Sequence, residues 1–334
     1  MTRGALALGL VGCGRLAAAG YVPALAAVAA EAELRLVAVA DPDTARRERL
    51  AGCAGDSGLG AVAAFPDAAA LLDGADVDGV ILASPAAGHL ADAERAGAAG
   101  VAALVEKPPA PDATGAARLA ALTPPPWVGF NRRFDAGARA VRRAVPAGGP
   151  VELRLEISYR RRSWGAHTVH DDALLDLGPH LVDWTRWLSA REVAEVVCTE
   201  LTNDRVALEL VLSGDGDGDG GGQAPGRAKV RAATDRPHAE LVELRDGAGD
   251  LLARHRLGGL AAALRGRLGG RGPDALVASL AGQLVAFASA IRGEAPPDLG
   301  TAADGHAAMT VIDAARTSAA DGGRPVPVPR PVET

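Results

Sequence analysis

The chain has 334 residues, a formal charge of −6, 48% hydrophobic residues and only 3% aromatic ones, which is room for two domains with separate cores. An acidic balance argues against nucleic acid, because binding a polyanion needs a basic surface. The three cysteines Cys13, Cys53 and Cys198 have no metal or disulfide spacing. No uncharged apolar run is long enough for a bilayer and no signal peptide precedes the first strand, so the expectation is a cytoplasmic protein with no membrane partner.

The first apolar run, Ala5–Val11, leads into Gly12-Cys13-Gly14-Arg15-Leu16-Ala17 and then an Ala-rich helical stretch. A G-x-G-x-x-A spacing between a strand and a helix is a dinucleotide fingerprint. Gly12 permits the tight turn, Gly14 lets the backbone approach a pyrophosphate, and Ala17 lets the helix pack on the strand. The N–H groups of Cys13, Arg15 and Leu16 belong to the same anion-facing loop. A second strand, Leu34–Ala40, ends at Asp41, an acid placed to accept from both ribose hydroxyls and to repel a 2′-phosphate. That favours NAD; Arg46 and Arg47 a few residues on keep NADP open.

Helices are expected over Asp43–Ala51 and Asp67–Leu72, a β-branched strand over Val77–Ala83, a helix over 86–99 and a strand over Val101–Val105. Such alternation predicts an α/β domain over 1–125, with a parallel sheet covered by helices on both faces. Thr123-Pro124-Pro125-Pro126 marks its edge. Glu106-Lys107-Pro108 follows the last of these strands, and ligands of open parallel sheets bind beyond the strands' carboxyl ends. Lys107 would present a cation there, and is by itself equally a surface lysine.

Beyond the prolines the pattern changes. Val151–Tyr159, Val193–Leu201, Val206–Leu212, Ala228–Ala233, Glu240–Arg245 and Asp250–Arg256 are short runs separated by Gly/Asp turns. They predict an α+β domain over 126–334 with a large, mostly antiparallel open sheet. Two closing helices, Ala275–Ile291 and Thr301–Ala320, have open allegiance and could pack back on the first domain. The Asp215/Asp217/Asp219 run resembles a calcium loop but has Gly226 where a bidentate Glu is needed, so it reads as a hairpin loop. Gly178-Pro179 reads as a helix start, with Asp176 in the preceding turn and His180 in the first turn. The pair could serve as carboxylate and general base, or be a turn residue and a buried histidine. His167, His170, Asp171, Asp176 and His180 are dense, but their spacing is not that of a metal site, and none is expected. Arginines crowd residues 132–162; Arg161 or Arg162, near Tyr159 and Trp164, could clamp a phosphate or carboxylate of the substrate or could simply be solvated.

Taken in order, GLVGCGRLA, VADPD (39–43), VILASPAAGH (80–89), VEKPPA (105–110), GFNRRF (129–134), LLDLGPHLVDW (174–184), FASAIRGEAPP (287–297) and DGHAAMTVIDAARTSAADG (304–322) resemble the glucose–fructose oxidoreductase / inositol dehydrogenase / MocA family over nearly the whole length. The resemblance implies a Rossmann dinucleotide-binding domain and a C-terminal domain whose open sheet joins subunits into a homodimer or homotetramer. It implies NAD(P)-dependent redox chemistry on a secondary alcohol of a sugar or cyclitol. It implies that Lys107, Asp176 and His180 are catalytic, and that Ser84, Pro85, His89 and Glu106 join the glycine loop and Asp41 in holding the coenzyme. Asn131, Arg132, Tyr159 and Trp164 become candidates for substrate contact. Two departures stand out: Val169-His170-Asp171-Asp172-Ala173 replaces a glycine cluster, and Ala86 follows Ser84-Pro85 where Asn is common. A nucleotide-linked sugar as substrate and a non-catalytic dinucleotide sensor are the competing readings.

Overall fold

The structure is a computed structural model that describes residues 4–146, 148–164, 171–214, 225–258 and 275–329. The Asp215–Asp219 run, His167 and His170 lie outside the described residues. The chain divides into two compact units, Met1–Phe134 with Pro273–His306, and Asp135–Gly272 with Ala307–Thr334.

Five strands of the first unit are parallel: β1 (Leu6–Val11), β2 (Leu34–Ala40), β3 (Ala63–Phe65), β4 (Gly79–Leu82) and β5 (Ala102–Val105). β6 (Trp127–Val128) adds in parallel to β5, and the late segment β13 (Gly300–Thr301) pairs antiparallel with β6. The order is β13-β6-β5-β4-β1-β2-β3. The strand order reverses at β1, between β2 and β4, so the crevice lies at the carboxyl ends of β1 and β4. β1 and β4 are buried throughout, as apolar runs without alternation require of a sheet covered on both faces.

The first unit therefore runs past the polyproline segment. β6 follows Pro126 and completes the sheet edge, and α8 (Ala275–Ile291) buries Leu280, Leu284, Phe287 and Ala288 in the same core as Leu8, Leu10, Tyr21 and Leu25 of the first 28 residues. Helix α1 (Val22–Val28) packs on α8. Short β3 and β6 gave no periodic signal at two or three residues each.

Five helix starts share one device. Asp43, Asp67 and Asp112 cap α2 (Thr44–Ala54), α3 (Ala68–Gly74) and α5 (Ala113–Ala120), each carboxylate accepting the backbone N–H three residues on. Asp135 and Asp172 do the same for α6 (Ala136–Arg143) and α7 (Ala173–Ser189) in the second unit. Each such cap is worth about 1 kcal/mol. α4 (Ala86–Ala98) starts after Pro85 instead.

The second unit is a seven-stranded sheet of order β12-β11-β7-β10-β9-β8-β14, built from β7 (Val151–Arg160), β8 (Val193–Leu201), β9 (Arg205–Leu212), β10 (Gly226–Ala233), β11 (Asp235–Asp246), β12 (Leu251–Gly258) and β14 (Val326–Pro327). It is antiparallel except for the β7–β10 pair. α7 packs on β7 to β10. Val151, Leu153, Leu155 and Ile157 of β7 are buried while Glu152 and Arg154 are exposed, the alternation of a sheet with one covered face. Helix α9 (Ala302–Ala320) has residues in both units.

Asp135 also holds His255 of β12, Nε2 to Oδ1 at 2.9 Å. That contact raises the imidazole pKa, aided by Glu240 and opposed by burial. A raised histidine adds stability that is complete below its unfolded value, about 6.5, and is lost as pH climbs through the folded value. His255→Gln should therefore lower Tm most in acid, with the gap to wild type closing as pH rises above neutrality. A constant gap in melts across this range would show that the pair does not titrate with folding.

Candidate active site

Four strand ends of the first unit lie side by side. Gly12 N–H donates to Ala40 O at 2.8 Å, Ala83 N–H to Val11 O at 2.8 Å, and Glu106 N–H to Leu82 O at 2.9 Å. These bonds align the ends of β2, β1, β4 and β5, and bring the glycine loop, Asp41, Ser84 and Glu106-Lys107 to one edge. Gly12 has φ +94°, and a Cβ there would sit 2.5 Å from Ala83 O. Only glycine turns the chain here without striking the neighbouring strand end.

Asp41 is 6% exposed, and its carboxylate is anchored to the loop: Oδ2 accepts Cys13 N–H at 2.9 Å and Oδ1 accepts Asp43 N–H at 2.9 Å. Each oxygen keeps a second lone pair for a ribose hydroxyl. Arg47 Nη1 donates to Asp41 O at 3.1 Å and Pro42 O at 3.3 Å, while Arg46 pairs with Asp43. Cys13 is buried, its thiol pushed up to about 12 by burial and by the Asp41 charge, so its backbone N–H rather than its sulfur serves the loop. Leu16 packs against the core.

These residues fit a dinucleotide. A Cβ on Gly14 would meet nothing within 4 Å, so open space lies where the backbone must approach a pyrophosphate, and Arg15 is exposed beside it. Ser84 Oγ, at the end of β4, is buried without a hydrogen-bond partner among the described residues. It is a hydroxyl available to a ligand in the crevice, next to exposed Pro85.

Three expected ligand contacts turn inward instead. His89 is 1% exposed, with Nε2 2.8 Å from Ser84 O and Nδ1 3.2 Å from Pro109 O. Burial lowers its pKa. The ring lies between the segment after β4 and the segment after Lys107. Glu106 is 5% exposed and accepts Tyr21 Oη–H at 2.5 Å and Lys107 N–H at 3.0 Å. Asn131, 4% exposed, donates to Ser279 Oγ at 2.9 Å and pins the turn Asn131–Phe134 to α8. Arg132 is half-buried in that turn, beside Arg133, which pairs with Asp304 at 3.1 Å. Lys107 itself is half-buried.

The second unit corrects the reading of Gly178-Pro179. α7 starts at Ala173 because Asp172 caps it, and Arg316 holds that cap at 2.9 Å. Pro179 lies inside the helix, where it removes one backbone donor. Asp176 is in the first turn and His180 in the second, beyond the reach of the positive helix-end field, which fades within one turn. The two residues are four apart on one helix face. Asp176 accepts Tyr159 Oη–H in a short hydrogen bond and faces Arg161 Nη2 at 3.4 Å. Burial, then the Asp176 charge, drives the Tyr159 phenol well above its ordinary value, so the tyrosine stays a donor. Arg161 is thus paired with a carboxylate of the protein. Trp164 ends the turn Arg161–Trp164 that follows β7. Among the described residues no three His, Cys, Asp or Glu side chains gather as a metal site, and no helix is long and apolar enough to cross a membrane.

The model of the oxidoreductase family with an NAD-binding Rossmann fold, GFO/IDH/MocA, matches residues 6–124. A myo-inositol dehydrogenase of Streptomyces leeuwenhoekii is 32% identical over 349 aligned residues, covering 96% of this chain and 99% of its own. The chain belongs to the GFO/IDH/MocA oxidoreductase family. The rhizopine catabolism protein MocA of Rhizobium meliloti is 30% identical over 92% of this chain and 93% of its own. An inositol 2-dehydrogenase of Saccharopolyspora erythraea is 33% identical, but that match spans only 48% of either chain. Among solved structures, a myo-inositol dehydrogenase of Lactobacillus casei in complex with NAD(H) and myo-inositol superposes with TM-score 0.73 at 20% identity over 98% of both chains. A scyllo-inositol dehydrogenase of that species, with NAD(H) and scyllo-inositol, gives 0.73 at 18% identity over 97% of this chain and 99% of its own. Both share this chain's fold. Membership makes this an NAD-dependent oxidoreductase, and the glycine loop with Asp41 is where its residues suit that coenzyme.

Sequence reading passed over Tyr21 and Gln283, which complete the Glu106 cluster. One compositional signal was available: the chain has two lysines, Lys107 and Lys229, and two tyrosines, Tyr21 and Tyr159, against a background of arginine and alanine.

Gly12→Ala should cost roughly 1–3 kcal/mol of backbone strain and largely abolish NAD binding. Thermal melts with and without NAD check this; a variant with a wild-type NAD-induced shift in Tm would refute the role given to the turn.

Proposed function

We propose that this chain oxidises a secondary alcohol of a cyclitol or related sugar, or reduces the matching ketone, with NAD. The observation that carries the reading is the single edge of the first unit that bears the glycine loop, Asp41, Ser84 and Lys107. The full-length relatives named as myo-inositol dehydrogenase and rhizopine catabolism protein support the substrate class.

In this mechanism the glycine loop would hold the pyrophosphate and Asp41 the adenosine ribose, with Ser84 on the nicotinamide side. NAD, when bound, supplies the acceptor for the hydride. His180 acts as general base and takes the hydroxyl proton; Lys107 donates to that oxygen and stabilises the negative charge growing on it. Asp176, held by Tyr159 and Arg161, supplies the negative field that favours the imidazolium once the proton has arrived. In the reduction His180 returns the proton. Asp41 favours NAD over NADP by repelling a 2′-phosphate, although Arg47 stands on the same turn. Assembly into a cytoplasmic homo-oligomer through the outer face of the second sheet belongs to the same proposal.

The test is a panel of free cyclitols and free and nucleotide-linked sugars with NAD or NADP, following formation of the reduced coenzyme by absorbance. A cyclitol with NAD should be the best pair. Lys107→Ala and His180→Ala should each lower kcat by about 10²–10⁴, with NAD affinity retained. Turnover at the wild-type rate in either variant, or preference for a nucleotide-linked sugar, would refute the assignment.

A further inference from the structure

We propose that Tyr21, acting through Glu106, is the positioning residue that holds Lys107 in its working orientation. The inference rests on the role given to Lys107 above.

Three elements build the arrangement. Tyr21 ends a π-helical turn, Ala17–Tyr21, at the head of the first helix. Glu106 follows β5, and Gln283 lies on α8. Tyr21 and Gln283 are fully buried and Glu106 nearly so. Gln283 Nε2 donates to Tyr21 Oη at 3.2 Å, Tyr21 Oη donates to Glu106 Oε1 at 2.5 Å, and Lys107 N–H donates to Glu106 Oε2 at 3.0 Å. The fourth side is backbone: a Cβ on Gly129 would sit 3.1 Å from the Glu106 carboxylate. The carboxylate is therefore fixed in place by partners on both oxygens, and the Lys107 amide is fixed to it. Because Glu106 and Lys107 are adjacent in the chain, fixing that amide sets where the lysine side chain leaves the backbone.

Electrostatics agree with the geometry. Burial raises the Glu106 pKa, while the Tyr21 hydrogen bond and the Lys107 charge oppose the rise. Burial and the Glu106 charge push the Tyr21 phenol well up, so it remains a donor. A π turn carries one residue more than an α turn, which rotates the following side chains about the axis and is frequent at functional sites. Here it aims Tyr21 at the end of β5. Removing the phenol oxygen leaves Glu106 Oε1 buried without its donor, and the unmatched carboxylate is then free to draw the Lys107 turn with it.

The chain's two lysines make this measurable without substrate. In the full-length Lys229→Arg protein, reductive methylation by formaldehyde with cyanoborohydride as the hydride donor can label only Lys107 and the N-terminal amine, and peptide mass spectrometry separates them. Tyr21→Phe should speed labelling of Lys107 several-fold with the N-terminal rate unchanged, and should lower kcat while the KM for NAD holds. Gln283→Met keeps the Tyr21–Glu106 bond and should give a smaller change in the same direction; it decides the matter if Tyr21→Phe does not fold. A Lys107 rate that is unchanged or slower in the folded variants, or that moves in step with the N-terminal amine, overturns the proposal. The two readings fail separately. Faster labelling with no cyclitol turnover by the parent protein removes the functional reading and leaves the positioning role. Turnover with unaltered labelling does the reverse.

Discussion

A carboxylate buried at the end of a strand is expensive unless both of its oxygens are met, and Glu106 is such a group at the edge where the dinucleotide must bind. Tyr21 meets one oxygen and the chain's own next amide meets the other. That pairing joins the first helix, β5 and α8 into one unit, with Gln283 as the third support. It also explains why α8, far along the chain, belongs with the first sheet. α8 brings Leu284 and Phe287 to the apolar core and Gln283 to the polar cluster beside it.

The same device recurs with different residues. Asp41 is anchored by Cys13 N–H and Asp43 N–H, and Asp176 by Tyr159 and Arg161. In each case a carboxylate next to a candidate functional group is held by donors from elsewhere in the same unit. Both tyrosines of an aromatic-poor chain serve in this way. A phenol suits such a position because it is rigid, donates one directed hydrogen bond, and buries its ring in the core. Carboxylates held like this do not reorganise when charge develops beside them, which is what electrostatic catalysis requires.

The helix bearing His180 shows how local signals mislead. Gly-Pro is a sound start signal, yet Asp172 six residues earlier is the actual cap, and the helix runs through Pro179. Tertiary packing carries it through, since Leu174, Leu177, Leu181 and Trp184 are all buried. Three residues quoted in family motifs, His89, Glu106 and Asn131, are buried and hydrogen-bonded to other parts of the first unit at this edge.

Strand–glycine–helix order, the acid ending β2, the alternation of strands and helices, and the later change to short antiparallel strands follow from periodicity and turn chemistry, which are local, so the sequence alone determined the two-part architecture and the dinucleotide loop. Lys107 at a strand end and the Asp176/His180 spacing were legible for the same reason. Which side chains face inward was not. The pairing of Tyr21 with Glu106 spans 85 residues and that of Gln283 with Tyr21 spans 262. No local pattern encodes a hydrogen bond over such separations; it exists only once the sheet and the late helix have brought their residues together.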